Sequence, residues 1–152
     1  HDALPIWQRL LALCENDNLG VRYQLMHLYA YMEDELHALA LHKQFDSYEE
    51  TQMLLPLAVL YYKLNQFDKA EDYIKRLAKA NKDTKKFLRA AAHDELDDYI
   101  DELNPYGYQP FTIEELLDEL MKSSYLFESV PYFFTWANKV LTAKSASKKN
   151  IP

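Results

Sequence analysis

The sequence has 152 residues, of which 49% are hydrophobic and 27% are charged, and its formal net charge is −7. This composition predicts one folded domain with a substantial core and excludes a disordered chain. Its two glycines are too few for the many positive-φ turns of an all-β fold. The net negative charge argues against a nucleic-acid partner, because binding to phosphates depends on Lys and Arg.

Cysteine content and hydropathy bear on the cellular location. The single cysteine, Cys14, cannot form an internal disulfide, so a reducing compartment is favoured and the thiol is expected to pack in the core. The most apolar stretch, 125–141, is interrupted by Glu128, Pro131 and Lys139 and is shorter than a membrane span of roughly 18 apolar residues. We therefore expect a cytoplasmic protein with no membrane partner.

The first elements are a helix and a helical hairpin. Asp17 and Asn18 can cap a helix whose apolar residues recur at helical spacing. The acidic run 33–35 favours a helix start, since the positive end of the helix dipole attracts carboxylates. We expect a half-repeat over 1–17 and a first hairpin over 18–46. The predicted buried face of its second helix consists of Leu36, Leu39 and Ala40, with Phe45 as a further candidate.

A second hairpin follows over 47–81. Ser47 and Glu50 fit a reciprocal capping box that would open its first helix. Pro56 would then lie in the third turn, so either a kink forms there or the helix begins later. The second helix is predicted over 67–80, with one apolar and one charged face.

The two hairpins can be overlaid with a constant offset of 32 residues. The offset pairs Leu28 with Leu60, Tyr29 with Tyr61, Met32 with Leu64, Ala38 with Ala70, and Leu41 with Tyr73. Paired helices with a period of roughly 30 to 47 residues are typical of solenoids, in which each hairpin buries its apolar face against the next. The sequence therefore predicts an all-α fold that is a right-handed α-solenoid.

The pattern diverges beyond Asn81. Asp83 can cap a short helix, and the acidic segment 94–102 has apolar residues at helical intervals. The segment 104–110 contains two prolines and a glycine and is the clearest predicted loop. Thr112 and Glu115 then form a second capping box at the start of another helix.

A last helix is predicted to begin near Ser129 and Pro131 and to close the stack. We expect a divergent helical cap over 82–143 and a frayed basic tail over 144–152. The last helix also supports an alternative function, self-association, if it carries more aromatic side chains than one face can bury. These are Tyr132, Phe133, Phe134 and Trp136.

The segment 61–70, Tyr-Tyr-Lys-Leu-Asn-Gln-Phe-Asp-Lys-Ala, resembles the turn of a tetratricopeptide repeat, in which a tyrosine precedes a small alanine by nine residues. Tyr29 and Ala38 repeat this spacing. The motif Asn-Asp-Asn-Leu-Gly-Val-Arg-Tyr at 16–23 is similar to one in the tetratricopeptide-like region shared by uncharacterised bacterial repeat proteins and the suppressor of tumorigenicity 7 family. This resemblance covers about 16–141 and implies a protein-interaction role with no assigned chemistry.

No local spacing brings nucleophiles, bases or metal ligands together. His37 and His42 are five residues apart and lie on different sides of a helix, whereas a zinc pair needs a spacing of four. His93-Asp94 matches a dipeptide of metal-dependent phosphohydrolases, which keeps a metal-dependent hydrolase as the least favoured alternative. The acidic segment 94–102 lacks the pattern of a calcium loop and is expected to be a solvated face. We predict a non-enzyme with no cofactor and no metal.

In tetratricopeptide solenoids the first helix of each hairpin lines a concave groove. Assigning Tyr29 and Tyr61 to contacts between helices leaves other aromatic and polar side chains to face this groove, and such residues are typical of interfaces. The alternative for each is packing against a neighbouring helix, and for Arg22 it is bracing of the preceding turn. The predicted site for a protein or peptide partner consists of Arg22, Tyr23, His27, Tyr31, Gln52, Tyr62 and Lys63.

Overall fold

The computed structural model describes residues 3–13, 17 and 20–149, with side chains up to residue 143. This part of the chain is all-helical and contains no strand, which confirms the all-α part of the predicted fold class. None of its helices is long and apolar enough to cross a membrane. The helices are α1 (Leu4–Leu13), α2 (Val21–Tyr31), α3 (Glu35–Gln44), α4 (Thr51–Lys63), α5 (Phe67–Ala80), α6 (Thr84–Ala92), α7 (Asp97–Ile100), α8 (Ile113–Lys122), α9 (Ser124–Glu128) and α10 (Phe133–Lys149).

The start of α2 depends on a side chain that precedes it. The backbone amides of Val21 and Arg22 donate to the two carboxylate oxygens of Asp17 at 2.6 and 2.8 Å, so Asp17 caps the helix as predicted. Gly20 has a φ of 68°, a left-handed conformation that glycine adopts without steric cost. Asn18 and Cys14 lie outside the described residues.

The connections α2–α3 and α4–α5 have the same backbone geometry, 32 residues apart. Glu33 and Asn65 occupy equivalent positions with φ of 58° and 59°. Each connection closes with the hydrogen bonds of a Schellman motif. These bonds are Asp34 N to Tyr29 O at 2.9 Å and Glu33 N to Ala30 O at 3.1 Å, matched by Gln66 N to Tyr61 O at 2.9 Å and Asn65 N to Tyr62 O at 3.1 Å.

Replacing Glu33 by glycine should raise the free energy of unfolding by up to about 1 kcal/mol, because a left-handed φ is costly for a residue with a β-carbon. Urea unfolding would measure the change. Asn65→Gly should give a smaller gain, since asparagine tolerates this conformation. As a control, Glu71→Gly inside α5 should lose about 1 kcal/mol. A loss of that size for Glu33→Gly would contradict the turn geometry.

Helix α4 lies at the centre of the fold. All of its residues from Thr51 to Tyr61 are buried, and α2, α5 and α8 pack against it. The helix begins later than Ser47, so Pro56 lies in its second turn. The predicted capping box is wrong: Ser47 has a φ of 52° and closes α3, while the Glu50 carboxylate binds the Arg22 side chain.

The apolar face predicted for α3 is also wrong. Leu36 is 78% exposed and Leu39 is 39% exposed, whereas Ala38 and Leu41 are buried. Helix α3 lies at the edge of the fold and contacts α2 and α4 along a narrow stripe. Apolar residues outside this stripe therefore face outwards, and Ala40 is exposed with them.

The C-terminal half begins with polar contacts between helices. Asp83 was predicted to cap α6, but its carboxylate forms no side-chain cap there and instead accepts from Ile113 N at 2.8 Å. Thr112 caps α8 as predicted by accepting from Glu114 N at 3.2 Å. The predicted helix over 94–102 is reduced to the four residues of α7, and all the carboxylates of that segment are exposed.

Helices α8, α9 and α10 return over the earlier part of the chain. Helix α8 packs on α4 and α6, α9 packs on α2, and α10 packs on α5 and α6. The backbone of α10 continues through Lys149, within the segment expected to fray, and 150–152 lie outside the described residues. We call α8–α10 the C-terminal cover, because these helices close one side of the fold.

The aromatic residues at the start of α10 mostly pack against other residues of the chain. Phe133 is fully buried, Phe134 stacks on Phe127 at 5.5 Å between ring centroids, and the Trp136 ring lies 5.2 Å from that of Tyr62. Tyr132 is 75% exposed. Tyr132, which immediately precedes α10, is therefore the one exposed ring of these four, and self-association through this segment stays a prediction.

Candidate functional site

The predicted groove face of α2 and α4 is covered by this chain's own C-terminal helices. His27 on α2 contacts Glu119 on α8 at 2.7 Å, with about 1% of either residue exposed. Gln52 on α4 donates to Glu115 on α8 at 3.1 Å and is also buried. His27 therefore lies beneath α8 and not in an open groove, whereas Gln52 also lines the cleft described below. A role for either residue in partner binding stays a prediction.

Tyr31, Tyr62 and Lys63 lie on the same face and are half-buried. The Lys63 amine donates to the Tyr31 carbonyl oxygen at 2.6 Å and lies 4.8 Å from the centre of its ring. Tyr31 meets Tyr125 of α9 edge to face at 5.3 Å, and Tyr62 meets Phe133 in the same way. Burial lowers the pKa of the Lys63 amine. These three residues therefore connect parts of one chain, and a role in partner binding stays a prediction.

Arg22 and Tyr23 belong to a half-buried polar cluster with Asp17 and Glu50. The Arg22 guanidinium donates to Glu50 at 2.8 Å and to Asp17 at 3.0 Å, which agrees with the bracing alternative. The Tyr23 hydroxyl donates to Glu50 at 2.8 Å. Burial, followed by this hydrogen bond, raises the pKa of the Tyr23 phenol. The cluster fixes the orientation of the Tyr23 ring.

An open cleft of about 580 Å³ lies on the other side of Tyr23. It is larger than the cavity of about 340 Å³ between α1, α2 and α3 and the basic cavity of about 390 Å³ beside α6. Its walls come from α1, α2, the first turn of α4, the loop before α8 and the end of α8. The cleft is lined by Trp7, Leu10, Gly20, Val21, Tyr23, Gln24, Gln52, Tyr108 and Lys122.

Both tyrosines of this cleft have fixed hydroxyl groups. The Tyr108 hydroxyl accepts from the Gln52 amide at 2.8 Å, as the Tyr23 hydroxyl is held by Glu50. Burial, with the charge of Glu115 as the next cause, raises the pKa of the Tyr108 phenol. Both phenols therefore keep their protons near neutral pH. The cleft offers rigid aromatic surface with polar groups beside it, and rigid aromatic surface is suited to binding.

Of the nine residues that line this cleft, two were predicted as site residues from the sequence, Tyr23 and Gln52. Trp7, Tyr108 and Lys122 are among the seven that were not. Trp7 lies in the predicted half-repeat over 1–17, and Tyr108 lies in the predicted loop over 104–110. A large aromatic residue in a loop containing Pro105 and Pro110 has no helix face in which to be buried, and this was the available signal. No such signal exists for Lys122, because lysine is common in the last turn of a helix.

The described residues offer little for metal chemistry. Among them, no group of three or more His, Asp or Glu residues is placed to hold a metal ion. His37 pairs with Asp34 at 2.8 Å, His42 contacts the Tyr48 carbonyl oxygen at 2.9 Å, and His93 contacts that of Arg89 at 2.8 Å. The polar contacts of these three histidines are therefore made within or next to their own helices.

The fold and the cleft together define an all-helical protein whose open site is lined by aromatic and amide side chains. Comparisons of the chain with protein-family models, curated proteins and solved structures found no match.

Proposed function

We propose that the chain is a non-catalytic binding module that holds a segment of a protein or peptide in the cleft beside Tyr23. The observation that carries the proposal is the cleft itself, about 580 Å³ in volume and lined by three aromatic side chains. Trp7, Tyr23 and Tyr108 supply large contact area, and two of these rings are already fixed. Fixed side chains lose little further freedom on binding, so more of the contact energy remains as affinity.

The proposed architecture is a right-handed solenoid of tetratricopeptide-like hairpins, α2–α3 and α4–α5. Three features support it: the equivalent turns, the burial of Ala38 and Ala70, and the stacking of Tyr29 on His37 and of Tyr61 on Tyr73. The resemblance to the suppressor of tumorigenicity 7 family and the cytoplasmic location belong to this proposal. The module differs from an open solenoid in one respect, because the C-terminal cover lies on the groove face.

Selection from a random-peptide phage library with the 152-residue chain as bait would test the binding proposal. Trp7→Ala and Tyr108→Ala should each weaken the binding of a selected peptide by about tenfold or more, because truncating a central aromatic residue of an interface costs on the order of 2 kcal/mol. Isothermal titration calorimetry would measure the affinities, and circular dichroism would verify that both variants are folded.

Tyr132→Ala is the matched control, since Tyr132 is an exposed aromatic residue outside the cleft. It should leave the affinity unchanged. The binding proposal fails if no peptide is enriched. The assignment of the cleft fails if selected peptides bind the parent and both cleft variants equally well.

A further inference from the structure

The His27–Glu119 contact requires a hydrogen between its two side chains. Nδ1 of His27 lies 2.5 Å from the Tyr23 carbonyl oxygen and must carry a hydrogen, since a carbonyl oxygen can only accept. Nε2 lies 2.7 Å from Glu119 Oε2. This contact needs one more proton, either on the carboxyl group or on the ring. The hydrogen bond between His27 Nε2 and Glu119 Oε2 therefore forms only when the two side chains share one proton.

Few other groups can compensate the charge of Glu119. Its Oε1 atom is buried and has no hydrogen-bond partner among the described residues. On its own helix, Glu115 and Asp118 add negative charge nearby, and Lys122 is paired with Asp118. Among the neighbouring residues, Tyr23 of α2 contacts His27 through its carbonyl oxygen, Gln52 of α4 contacts Glu115, and Phe127 of α9 contacts His27. Tyr23 is bonded to Glu50, Gln52 to Glu115, and Phe127 meets the His27 ring edge to face at 6.4 Å.

We propose that His27 and Glu119 form a proton-dependent latch, which holds the C-terminal cover on α2 and α4 and loosens when the shared proton is lost as the pH rises. The pair joins residues 92 positions apart in the chain. Loosening would uncover the face on which Tyr31 and Tyr62 lie. The latch is independent of whether the cleft beside Tyr23 binds a peptide.

The direction of the effect follows from the deprotonated state. Without the shared proton, a buried carboxylate faces the bare lone pair of His27 Nε2, and a buried charge without a partner is costly. Burial raises the pKa of Glu119 to about 7, while the His27 hydrogen bond limits the rise. The carboxyl pKa is raised in the folded protein, so the stability it contributes is fully present below the ordinary value of 4.5 and is lost as the pH rises to about 7, with opening increasing up to about tenfold per pH unit across that range.

Amide hydrogen exchange tests the latch, with the rates of α8–α10 divided by those of an unstructured chain at the same pH. In the parent protein, protection of α8 should fall at least about tenfold between pH 5 and pH 8. Glu119→Gln keeps a hydrogen-bonding amide and cannot lose a proton, so its protection should stay constant. Glu128→Gln, at an exposed position of α9, should behave as the parent does.

Constant protection in the parent would overturn the proposal, as would an equal fall in Glu119→Gln, which would assign the effect to Glu115, Asp118 or another group. If Glu119→Gln fails to fold, carbon-13 NMR of the side-chain carboxyl groups of the parent decides. The latch requires one glutamate that titrates near pH 7. Titration of every glutamate below pH 6 would exclude it.

Discussion

Replacement of Phe133 by alanine is expected to lower the free energy of unfolding by about 3 to 5 kcal/mol, the usual range for a buried phenylalanine. Phe133 is fully buried, and its ring lies 5.3 Å from that of Tyr62 and 5.9 Å from that of Trp136. Removing the ring leaves a cavity between α10 and the second hairpin, and a close-packed interior can fill it only in part. Urea unfolding followed by circular dichroism would measure the loss.

Tyr132→Ala provides a control at the adjacent position. Tyr132 is on the exposed side of the chain, so its removal should change stability by less than about 0.5 kcal/mol. Equal losses for the two variants would show that α10 is not seated through Phe133, and the arrangement of the C-terminal cover would then be incorrect.

His27→Ala is the second substitution for which we expect a large effect, about 3 kcal/mol at pH 5, where the pair holds its shared proton. It removes the hydrogen-bond partner of the buried Glu119 carboxyl group and leaves a cavity in place of the ring. The loss should be smaller at pH 8, because the parent has lost the shared proton there and its own contact is already weakened. Urea unfolding at the two pH values would measure the difference.

His37→Ala is the matched control for this prediction. His37 has 58% of its side chain exposed and pairs with Asp34 on the surface. Exposed ion pairs contribute about 0 to 1 kcal/mol, so the loss should be small. A loss for His27→Ala no larger than that for His37→Ala, at pH 5, would contradict the buried contact between α2 and α8.

Local sequence patterns predicted elements whose stability depends on their own residues. The apolar and charged faces of 67–80 predicted a helix, and α5 spans Phe67–Ala80. Asp17 and Thr112 were recognised as capping residues because a short polar side chain before an apolar periodic run has a local function. Such signals need no knowledge of the rest of the fold.

Predictions that depended on neighbouring helices were less successful. Leu36 and Leu39 are apolar and at helical spacing, but which side of α3 is buried depends on where α2 and α4 lie. Glu50 fits a capping box, but its carboxylate binds Arg22, 28 residues earlier in the chain. A longer-range electrostatic contact replaced the local one, and nothing in the local pattern indicates it.

For the candidate site, too, contacts between distant parts of the chain were not predicted. Tyr31 and Tyr62 contact α9 and α10, but the sequence did not reveal that α8–α10 cover the face on which they lie. Trp7 and Tyr108 line the cleft because α1 and the loop before α8 meet there, about a hundred residues apart in the chain. Contacts over such distances follow from the tertiary fold alone.

The burial of α4 on all sides has a consequence for synthesis of the protein. During translation α4 leaves the ribosome about 50 residues before α8, which covers part of it. The α4–α5 hairpin can form early, since its contacts are local, whereas docking of α8 requires closure of a long loop. An apolar surface of the nascent chain is therefore exposed during this interval, and it is a site at which a chaperone would bind.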